Sequence, residues 1–256
     1  MTSDDNNFKA FSSPEVVELY ANSSGLQPAE AYAFDKFVPQ SASILDIGVG
    51  GGRTTPYLVA KASHYVGVDY VKAMIDACAE KFPKNIFCLA DATCLTGFED
   101  ASFDIVVFSF NGIDALPTKE RRLRCFSEVA RLLRPGGLFI FSSHNSRMLL
   151  DLPRLENAGL ARKAWRVARA AITSVPFAVR LLCSGAFRAG EGYYLDPVHG
   201  GVITYCSTPE LIELDVSSAG FQLLEVIHNL HPQKVPHYFI PSYYYVFANH
   251  RTAAPQ

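Results

Sequence analysis

A glycine-rich segment at residues 46–54, Asp-Ile-Gly-Val-Gly-Gly-Gly-Arg-Thr, constrains the fold more than any other part of the sequence. An apolar run at 44–47 leads into it, and a helical pattern over 53–61 leaves it. Glycine adopts backbone angles closed to other residues and lets a ligand approach the main chain closely. A helix that begins there also offers free N–H groups to an anionic group. The segment therefore predicts a nucleotide-type cofactor loop between a strand and a helix.

Apolar runs alternate with amphipathic helical patterns on both sides of this loop. Strands are expected at 44–47, 65–68, 86–89, 103–108 and 138–142, and helices at 53–61, 71–82 and 118–133. Such alternation predicts an α/β fold with a doubly wound, mostly parallel sheet. A helix at 209–218 and strands at 221–227 and 243–248 complete seven strands. The last strand should run antiparallel, because the connection before it is too short for a right-handed crossover.

The sequence divides into four expected parts. Residues 1–40 form an N-terminal tail with lid helices, 41–145 the cofactor-binding core, 146–205 a helical cap inserted after strand five, and 206–250 the C-terminal part of the core sheet. Within the first part, 1–12 are expected to be a frayed tail. Helices are expected at 14–21 and 28–38, since each begins with a proline, whose missing N–H is harmless there.

Composition and charge exclude several classes of protein. The formal net charge is −2, so no overall field favours nucleic acid, and no nucleic-acid partner is expected. The six cysteines form no CxxC pair and lack the histidine spacing of a zinc site, so no metal is expected and a reduced cytoplasmic location fits. No signal peptide is evident, and no uninterrupted apolar run of about 18 residues could span a membrane.

The glycine segment differs from a dinucleotide-binding fingerprint at one position. That fingerprint needs a third glycine three residues after the second, where this sequence has Arg53. The pattern is acid-x-Gly-x-Gly-x-Gly, with Asp46 in the strand end. A carboxylate there suits a ligand that carries an ammonium group, as the methionine part of S-adenosylmethionine does. The segment resembles motif I of the class I S-adenosylmethionine-dependent methyltransferases.

Four further segments resemble that family in order and spacing: 66–69, 89–92, 103–107 and 132–137. The resemblance covers about 43–145, with a looser similarity at 207–248. It implies S-adenosylmethionine as cofactor, with Asp69 accepting hydrogen bonds from the ribose hydroxyls and Asp91 from the adenine amino group. The cofactor-binding residues that it implies are Asp46, Gly48, Gly50, Gly52, Arg53, Asp69, Tyr70, Met74, Asp91, Ala92, Phe110 and Asn111.

The acceptor side of the site is less defined. His144, which leaves strand five where a substrate should lie, is the first candidate for a general base, and His199 is the second. Asp114 either faces the substrate or caps its loop. Tyr20 and Tyr205 are candidates to close over the pocket. The alternatives are a hydrogen bond within the loop for His144 and core packing for the two tyrosines.

The acceptor itself is expected to be a small molecule methylated on an oxygen or nitrogen atom. Residues 109–114 lack the Asn/Asp-Pro-Pro-aromatic signature of DNA and RNA amino-group methyltransferases. A metabolite, natural product, glycan or lipid-linked acceptor stays open. Two other classes also stay open: an NAD(P)-dependent oxidoreductase and a non-catalytic S-adenosylmethionine-binding protein.

Two sequence patterns point to competing interpretations. Tyr32/Lys36 and Tyr57/Lys61 match the Tyr-x-x-x-Lys pair of dehydrogenases but lie far from the late strands where that pair belongs, so we interpret both as chance. Residues 154–188 hold seven basic residues and one acid, with Arg162, Arg166 and Arg169 on one helical face. That face predicts a peripheral contact with anionic lipid, an anionic substrate, or only a solvated surface.

Overall fold

The computed structural model describes residues 3–147, 179, 182–196, 201–229, 232 and 241–250. The helices are α1 (Ser3–Phe11), α2 (Pro14–Ala21), α3 (Pro28–Phe37), α4 (Thr55–Val59), α5 (Lys72–Lys81), α6 (Lys119–Leu132), α7 (Ala186–Ala189) and α8 (Pro209–Ser217), with a 3-10 turn at Gly112–Ala115. The strands are β1 (Ala42–Ile47), β2 (Ala62–Asp69), β3 (Ile86–Leu89), β4 (Phe103–Phe108), β5 (Leu133–His144), β6 (Glu191–Asp196), β7 (Val202–Ser207), β8 (Phe221–His228) and β9 (Ser242–Asn249).

Seven strands form one sheet in the order β3-β2-β1-β4-β5-β9-β8. The first five run parallel, and β9 pairs antiparallel with both β5 and β8. The predicted α/β class, the mostly parallel sheet and the antiparallel last strand are therefore confirmed. The strand order reverses between β1 and β4, and ligands bind beside the carboxyl ends of strands at such a point.

Both faces of this sheet are covered, which explains the nearly continuous apolar strands. In β4, Val106 and Phe108 pack into the core on the side of α6 and α8, whereas Ile105 and Val107 pack on the side of α3. Side chains alternate between faces along a strand, so one apolar run supplies both cores. Each fully buried side chain of this size contributes about 1.5–3 kcal/mol.

Residues 3–11 form helix α1, so the expectation of a frayed tail over 1–12 was wrong for these residues. Asn7 on α1 is buried, and its Nδ2 atom donates to the carbonyl oxygens of Ala115 at 2.8 Å and Ile203 at 2.9 Å. Its Oδ1 atom accepts from the N–H of Ile203 at 2.8 Å. These partners lie more than one hundred residues away in sequence, beyond the reach of any local pattern.

The described part of the predicted cap contains α7 and an antiparallel hairpin formed by β6 and β7, where the expectation was helical. The buried guanidinium of Arg122 on α6 holds this hairpin, since it lies against the ring of Tyr205 and donates to the Tyr193 hydroxyl. Tyr205 belongs to β7 and packs into the core against Arg122, and it does not line the described cavity, so its expected role over the pocket was wrong. The basic residues Arg162, Arg166 and Arg169 lie outside the described residues.

Within the described ranges, none of the helices has the length and apolar character needed to cross a membrane. The same residues contain no group of three or more His, Cys, Asp and Glu side chains arranged to hold a metal ion.

Candidate active site

A cavity of about 540 Å³ opens at the carboxyl ends of the parallel strands, where the strand order reverses. Helices α1 and α2 and the β6–β7 hairpin cover it. Its wall includes nine of the residues that the sequence assigned to the cofactor: Gly48, Gly50, Asp69, Tyr70, Met74, Asp91, Ala92, Phe110 and Asn111.

The first two glycines of the loop leave room that a side chain would fill. Gly48 has a φ of 62°, and a Cβ atom there would lie 2.7 Å from the ring of Phe108. Gly50 has a φ of 54°, and its Cβ atom would lie 3.0 Å from the ring of Tyr20. Gly52 differs, because it lines no described cavity and leaves space for the Phe82 ring instead. The structure gives Gly52 a packing role against Phe82, and its contact with the cofactor stays a prediction.

Asp69 joins the end of β2 to the glycine loop. Its Oδ2 atom accepts from the N–H of Gly50 at 3.0 Å, and its Oδ1 atom accepts from the N–H of Val71 at 2.9 Å. Burial raises the pKa of this carboxyl group, and these backbone hydrogen bonds partly offset that effect. Each carboxylate oxygen has two lone pairs, so both keep acceptor capacity for a ligand in the cavity.

The carboxylate of Asp91, which follows β3, forms an ion pair with Arg121, a residue that was not predicted from the sequence. Its Oδ2 atom lies 2.6 Å from a terminal nitrogen of Arg121, and its Oδ1 atom accepts from the N–H and the hydroxyl of Thr93. Burial opposes ionisation, but the Thr93 hydrogen bonds and the Arg121 charge outweigh it and lower the pKa of Asp91. Arg121 also lines the cavity, and no local spacing links it to Asp91.

Asp46 and Arg53 line a second cavity of about 210 Å³, which shares Gly48, Gly50 and Tyr20 with the first. The Oδ2 atom of Asp46 accepts from the hydroxyls of Thr54 at 2.6 Å and Tyr65 at 3.0 Å. Burial raises the pKa of Asp46 to about 6, and those hydrogen bonds limit the rise.

Arg53, which occupies the third-glycine position of a dinucleotide loop, forms a buried ion pair with Glu30 on α3. Its two terminal nitrogens lie 2.6 and 2.5 Å from the two carboxylate oxygens of Glu30. The Tyr244 hydroxyl donates to the same carboxylate at 2.7 Å. The predicted cofactor residue Arg53 thus fastens α3 to the loop, and the sequence analysis did not identify its partner.

Phe110 and Asn111 adopt consecutive left-handed conformations, with φ of 57° and 60°. Two hydrogen bonds hold this strained turn: the Asn111 N–H donates to the Ser142 hydroxyl at 2.7 Å, and the Phe110 N–H donates to the Tyr244 hydroxyl at 3.3 Å. Such conformations cost about 1–3 kcal/mol each and occur preferentially at functional sites. The turn places both residues in the cavity wall.

His144 ends β5 with its ring in the cavity wall and a carboxylate behind it. The Nδ1 atom lies 2.7 Å from Oδ2 of Asp114, which also accepts from the backbone N–H of His144 at 2.7 Å. Asp114 is fully buried and does not line the cavity, so of its two expected placements the substrate-facing one was wrong. When Nδ1 carries the proton, Nε2 keeps a lone pair that can accept a hydrogen bond. In the structure Nε2 lies 3.1 Å from Nδ2 of Asn111, which can donate that bond.

Aromatic side chains of the N-terminal helices close the cavity. Tyr20, as the sequence predicted, lies in its wall; burial, followed by the charges of Asp69 and Asp196, raises the pKa of Tyr20 to about 12. Phe8 and Phe11 of α1 also line the cavity. The ring of Phe8 packs edge to face against that of Tyr70, with 5.8 Å between the ring centroids. Helix α1 was not predicted from the sequence.

The remaining candidates lie elsewhere. His199 is outside the described residues. Tyr32 and Lys36 hydrogen-bond each other and Glu225 of β8, and neither lines a described cavity, in line with the interpretation of that pair as chance.

The donors and acceptors in the cavity fit S-adenosylmethionine. Carboxylates at the ends of β2 and β3 suit ribose hydroxyls and an adenine amino group, and Val71, Met74 and Ala92 add an apolar surface for the base. Among the described residues, the Ser109 hydroxyl and Oδ1 of Asn111 are buried without a hydrogen-bond partner, and both residues line the cavity. Buried polar atoms left unpaired cost free energy, so these two atoms favour a polar ligand.

Comparison with known proteins agrees with this geometry. Residues 45–141 match the family model described as "Methyltransferase domain". The Bacillus subtilis (strain 168) protein YqeM, which bears the name of a methyltransferase, is 30% identical over 118 residues, 45% of this chain and 47% of YqeM. The tRNA (carboxymethyluridine(34)-5-O)-methyltransferase ALKBH8 of Mus musculus is 36% identical over 106 residues, 41% of this chain and 15% of ALKBH8. The chain thus spans about half the length of the first relative and less of the second.

A solved structure has a similar fold. The 1,6-didemethyltoxoflavin-N1-methyltransferase of Burkholderia thailandensis, with bound 1,6-didemethyltoxoflavin and S-adenosylhomocysteine, superposes with a TM-score of 0.63 at 15% identity, covering 96% of this chain and 88% of that one. The predicted resemblance to the class I family is confirmed for the matched segment.

Proposed function

We propose that the chain transfers a methyl group from S-adenosylmethionine to an oxygen or nitrogen atom of a small-molecule acceptor; the match of residues 45–141 to a methyltransferase domain and the shared fold support this. The observation that carries this proposal is the joint placement of Asp69, Asp91 and His144 in one cavity. When bound, the cofactor supplies a methyl group made electrophilic by its sulfonium.

The cofactor side of the cavity would hold the adenosyl group. Asp69 accepts from the ribose hydroxyls while its two backbone hydrogen bonds keep the carboxylate in place. Asp91 accepts from the adenine amino group, with Arg121 fixing its other face. The rings of Phe8 and Tyr20 exclude water from the site. A displacement reaction mainly requires that the reacting groups are aligned and that water is excluded.

His144 would act as the general base. Its Nε2 atom takes a proton from the molecule to be methylated, and the Asp114 carboxylate stabilises the imidazolium that forms. For that step the acceptor must take the place of the Asn111 amide, which contacts Nε2 in the structure. Asp114 acts only through the histidine, because it does not line the cavity.

A small acceptor fits this cavity better than a nucleic acid does. The described lining contains the carboxylates of Asp69, Asp91 and Asp196 but a single arginine, Arg121, which is paired with Asp91. Binding to a phosphate backbone depends on unpaired Lys and Arg side chains. ALKBH8 acts on tRNA according to its name, so RNA is the acceptor class against which the proposal is tested.

The test supplies methyl-labelled S-adenosylmethionine together with either the small-molecule fraction or the RNA fraction of a cell extract. We expect label to enter the small-molecule fraction, and the Asp69→Ala variant to abolish that transfer. Label found only in RNA would contradict the acceptor class. Retained cofactor binding with no label in either fraction would favour the non-catalytic alternative.

A further inference from the structure

The side-chain amide of Asn111 lies against the ring nitrogen of His144 that does not contact Asp114. Its Nδ2 atom lies 3.1 Å from Nε2 of His144, and both residues line the cavity. The Asp114 carboxylate lies 2.7 Å from Nδ1, so that nitrogen carries the proton and Nε2 accepts from the Asn111 amide. Neutral His144 thus has a hydrogen-bond partner at each ring nitrogen.

The oxygen of the same amide lacks a partner in this arrangement. Oδ1 of Asn111 is buried, and none of the described residues donates a hydrogen bond to it. A buried acceptor left unpaired costs free energy. Protonation of His144 would reverse the requirement at Nε2, which becomes a donor and needs an acceptor. If the two amide atoms exchanged places, Oδ1 would accept from Nε2–H, and that charge-assisted bond is about twice as strong as a neutral one.

The backbone under this amide is held in place, whereas its side chain can turn. Asn111 has a φ of 60°, and its N–H donates to the Ser142 hydroxyl at 2.7 Å. The N–H of Phe110 donates to the Tyr244 hydroxyl at 3.3 Å. Rotation about the Cβ–Cγ bond of asparagine is broad and roughly twofold, so a half-turn exchanges the amide oxygen and nitrogen. That rotation requires no change in the backbone.

Other groups packed against the His144 ring keep one role throughout. Asp114 contacts Nδ1 and the backbone N–H of His144. Tyr194 of β6 packs edge to face against the ring, with 6.2 Å between the centroids. Burial, followed by the charge of Asp196, raises the pKa of the Tyr194 hydroxyl well above its ordinary value, so Tyr194 stays neutral. Among the described residues, Asn111 supplies the hydrogen bond at Nε2.

We infer that Asn111 is a positioning residue, whose amide donates to neutral His144 before the acceptor binds and, after a half-turn, accepts from protonated His144 once the product leaves. This inference rests on the proposed function. In between, the acceptor occupies Nε2. Its O–H or N–H bond breaks, the Nε2–H bond forms, and the acceptor atom bonds to the methyl carbon as the C–S bond breaks with its electron pair going to sulfur. Oδ1 then accepts from Nε2–H until the proton passes to water.

The test reads these hydrogen bonds by NMR in protein labelled with nitrogen-15 and carbon-13 and saturated with S-adenosylhomocysteine. At about pH 8.5, where an ordinary histidine is neutral, we expect a scalar coupling from Nδ2 of Asn111 to Nε2 of His144 across their hydrogen bond. When the pH is lowered until both ring nitrogens carry protons, a coupling from Nε2 to Cγ of Asn111 should replace it. Absence of either coupling would overturn the inference.

Two variants separate the roles of the amide, since aspartate and glycine, like asparagine, tolerate a positive φ. Asn111→Asp offers only acceptors, so both ring nitrogens should stay protonated at about pH 8.5. Its kcat for the labelled small-molecule acceptor should fall at least about tenfold. Asn111→Gly should leave Nε2 unprotonated and lower kcat less. The exposed Asp76→Asn should change neither quantity.

Two kinds of failure are distinguishable. A neutral ring in Asn111→Asp at about pH 8.5, or a wild-type kcat in Asn111→Gly, would overturn the role of Asn111 alone. Failure of the wild-type protein to bind S-adenosylhomocysteine, or to transfer label to any small molecule, would instead overturn the proposed function.

Discussion

The carboxylate of Asp114 holds His144 twice, at the ring and at the backbone. Its Oδ2 atom lies 2.7 Å from Nδ1 and 2.7 Å from the backbone nitrogen of His144, while Oδ1 accepts from the Ser143 hydroxyl at 2.7 Å. A carboxylate accepts only, so Nδ1 carries a proton and Nε2 carries the lone pair. The ring therefore presents an acceptor to the cavity in a fixed orientation.

Replacing Asp114 by asparagine should lower kcat by about 10²–10⁴, because the ring loses the partner that fixes its tautomer and stabilises its charged form. KM and the affinity for S-adenosylhomocysteine should stay unchanged, since Asp114 does not line the cavity. Steady-state kinetics on the acceptor labelled in the small-molecule fraction, with the exposed Asp76→Asn as control, checks this. An unchanged kcat would rule out the supporting role of Asp114.

Asp69→Ala should weaken S-adenosylmethionine binding at least about tenfold, because it removes an acceptor in the cavity and frees the N–H of Gly50. Calorimetric titration measures the affinity. Asp76→Ala is the matched control, as that carboxylate lies on the exposed face of α5. Equal affinity of both variants would show that the carboxylate after β2 does not contact the ribose.

Asn7→Ala should shorten the residence time of S-adenosylhomocysteine by about tenfold or more, because α1 loses the hydrogen bonds to Ala115 and Ile203 that hold it over the cavity. Stopped-flow dissociation kinetics measures the rate. The exposed Lys9→Ala on the same helix should leave it unchanged. An unaltered dissociation rate in Asn7→Ala would argue against α1 as a cover for the bound cofactor.

Asp46 should make stability depend on pH. Burial raises its pKa to about 6 in the folded chain, whereas an unfolded aspartate has a pKa of about 3.9. The folded state binds this proton more tightly, so the group's contribution to the free energy of unfolding rises as pH falls from 7 towards 4. Urea unfolding should show wild type gaining about 1 kcal/mol over Asp46→Asn between pH 7 and pH 5. A constant difference between the two proteins would contradict the raised pKa.

Local patterns in the sequence were enough to predict the sheet. Strands β3 and β4 begin and end where the apolar runs do, and α6 begins where its helical pattern does, with Thr118 accepting from the N–H of Arg121 at 3.3 Å. The loop glycines and the acids after β2 and β3 were identified because each follows directly from a strand end. Features set by neighbouring residues could therefore be predicted from the sequence alone.

Features that depend on distant partners could not be predicted. The Asn7 contacts, the Arg53–Glu30 ion pair and the Asp91–Arg121 ion pair each join segments more than twenty residues apart, and no periodicity marks them. The β6–β7 hairpin was missed for the same reason, since a buried arginine of α6 holds it in place.

The most direct test of the account is calorimetric titration of the purified chain with S-adenosylmethionine, S-adenosylhomocysteine and NAD. The account predicts saturable binding of the first two and none of NAD, because Arg53, paired with Glu30 of α3, occupies the position where a dinucleotide loop needs glycine. Binding of NAD without binding of S-adenosylmethionine would contradict it.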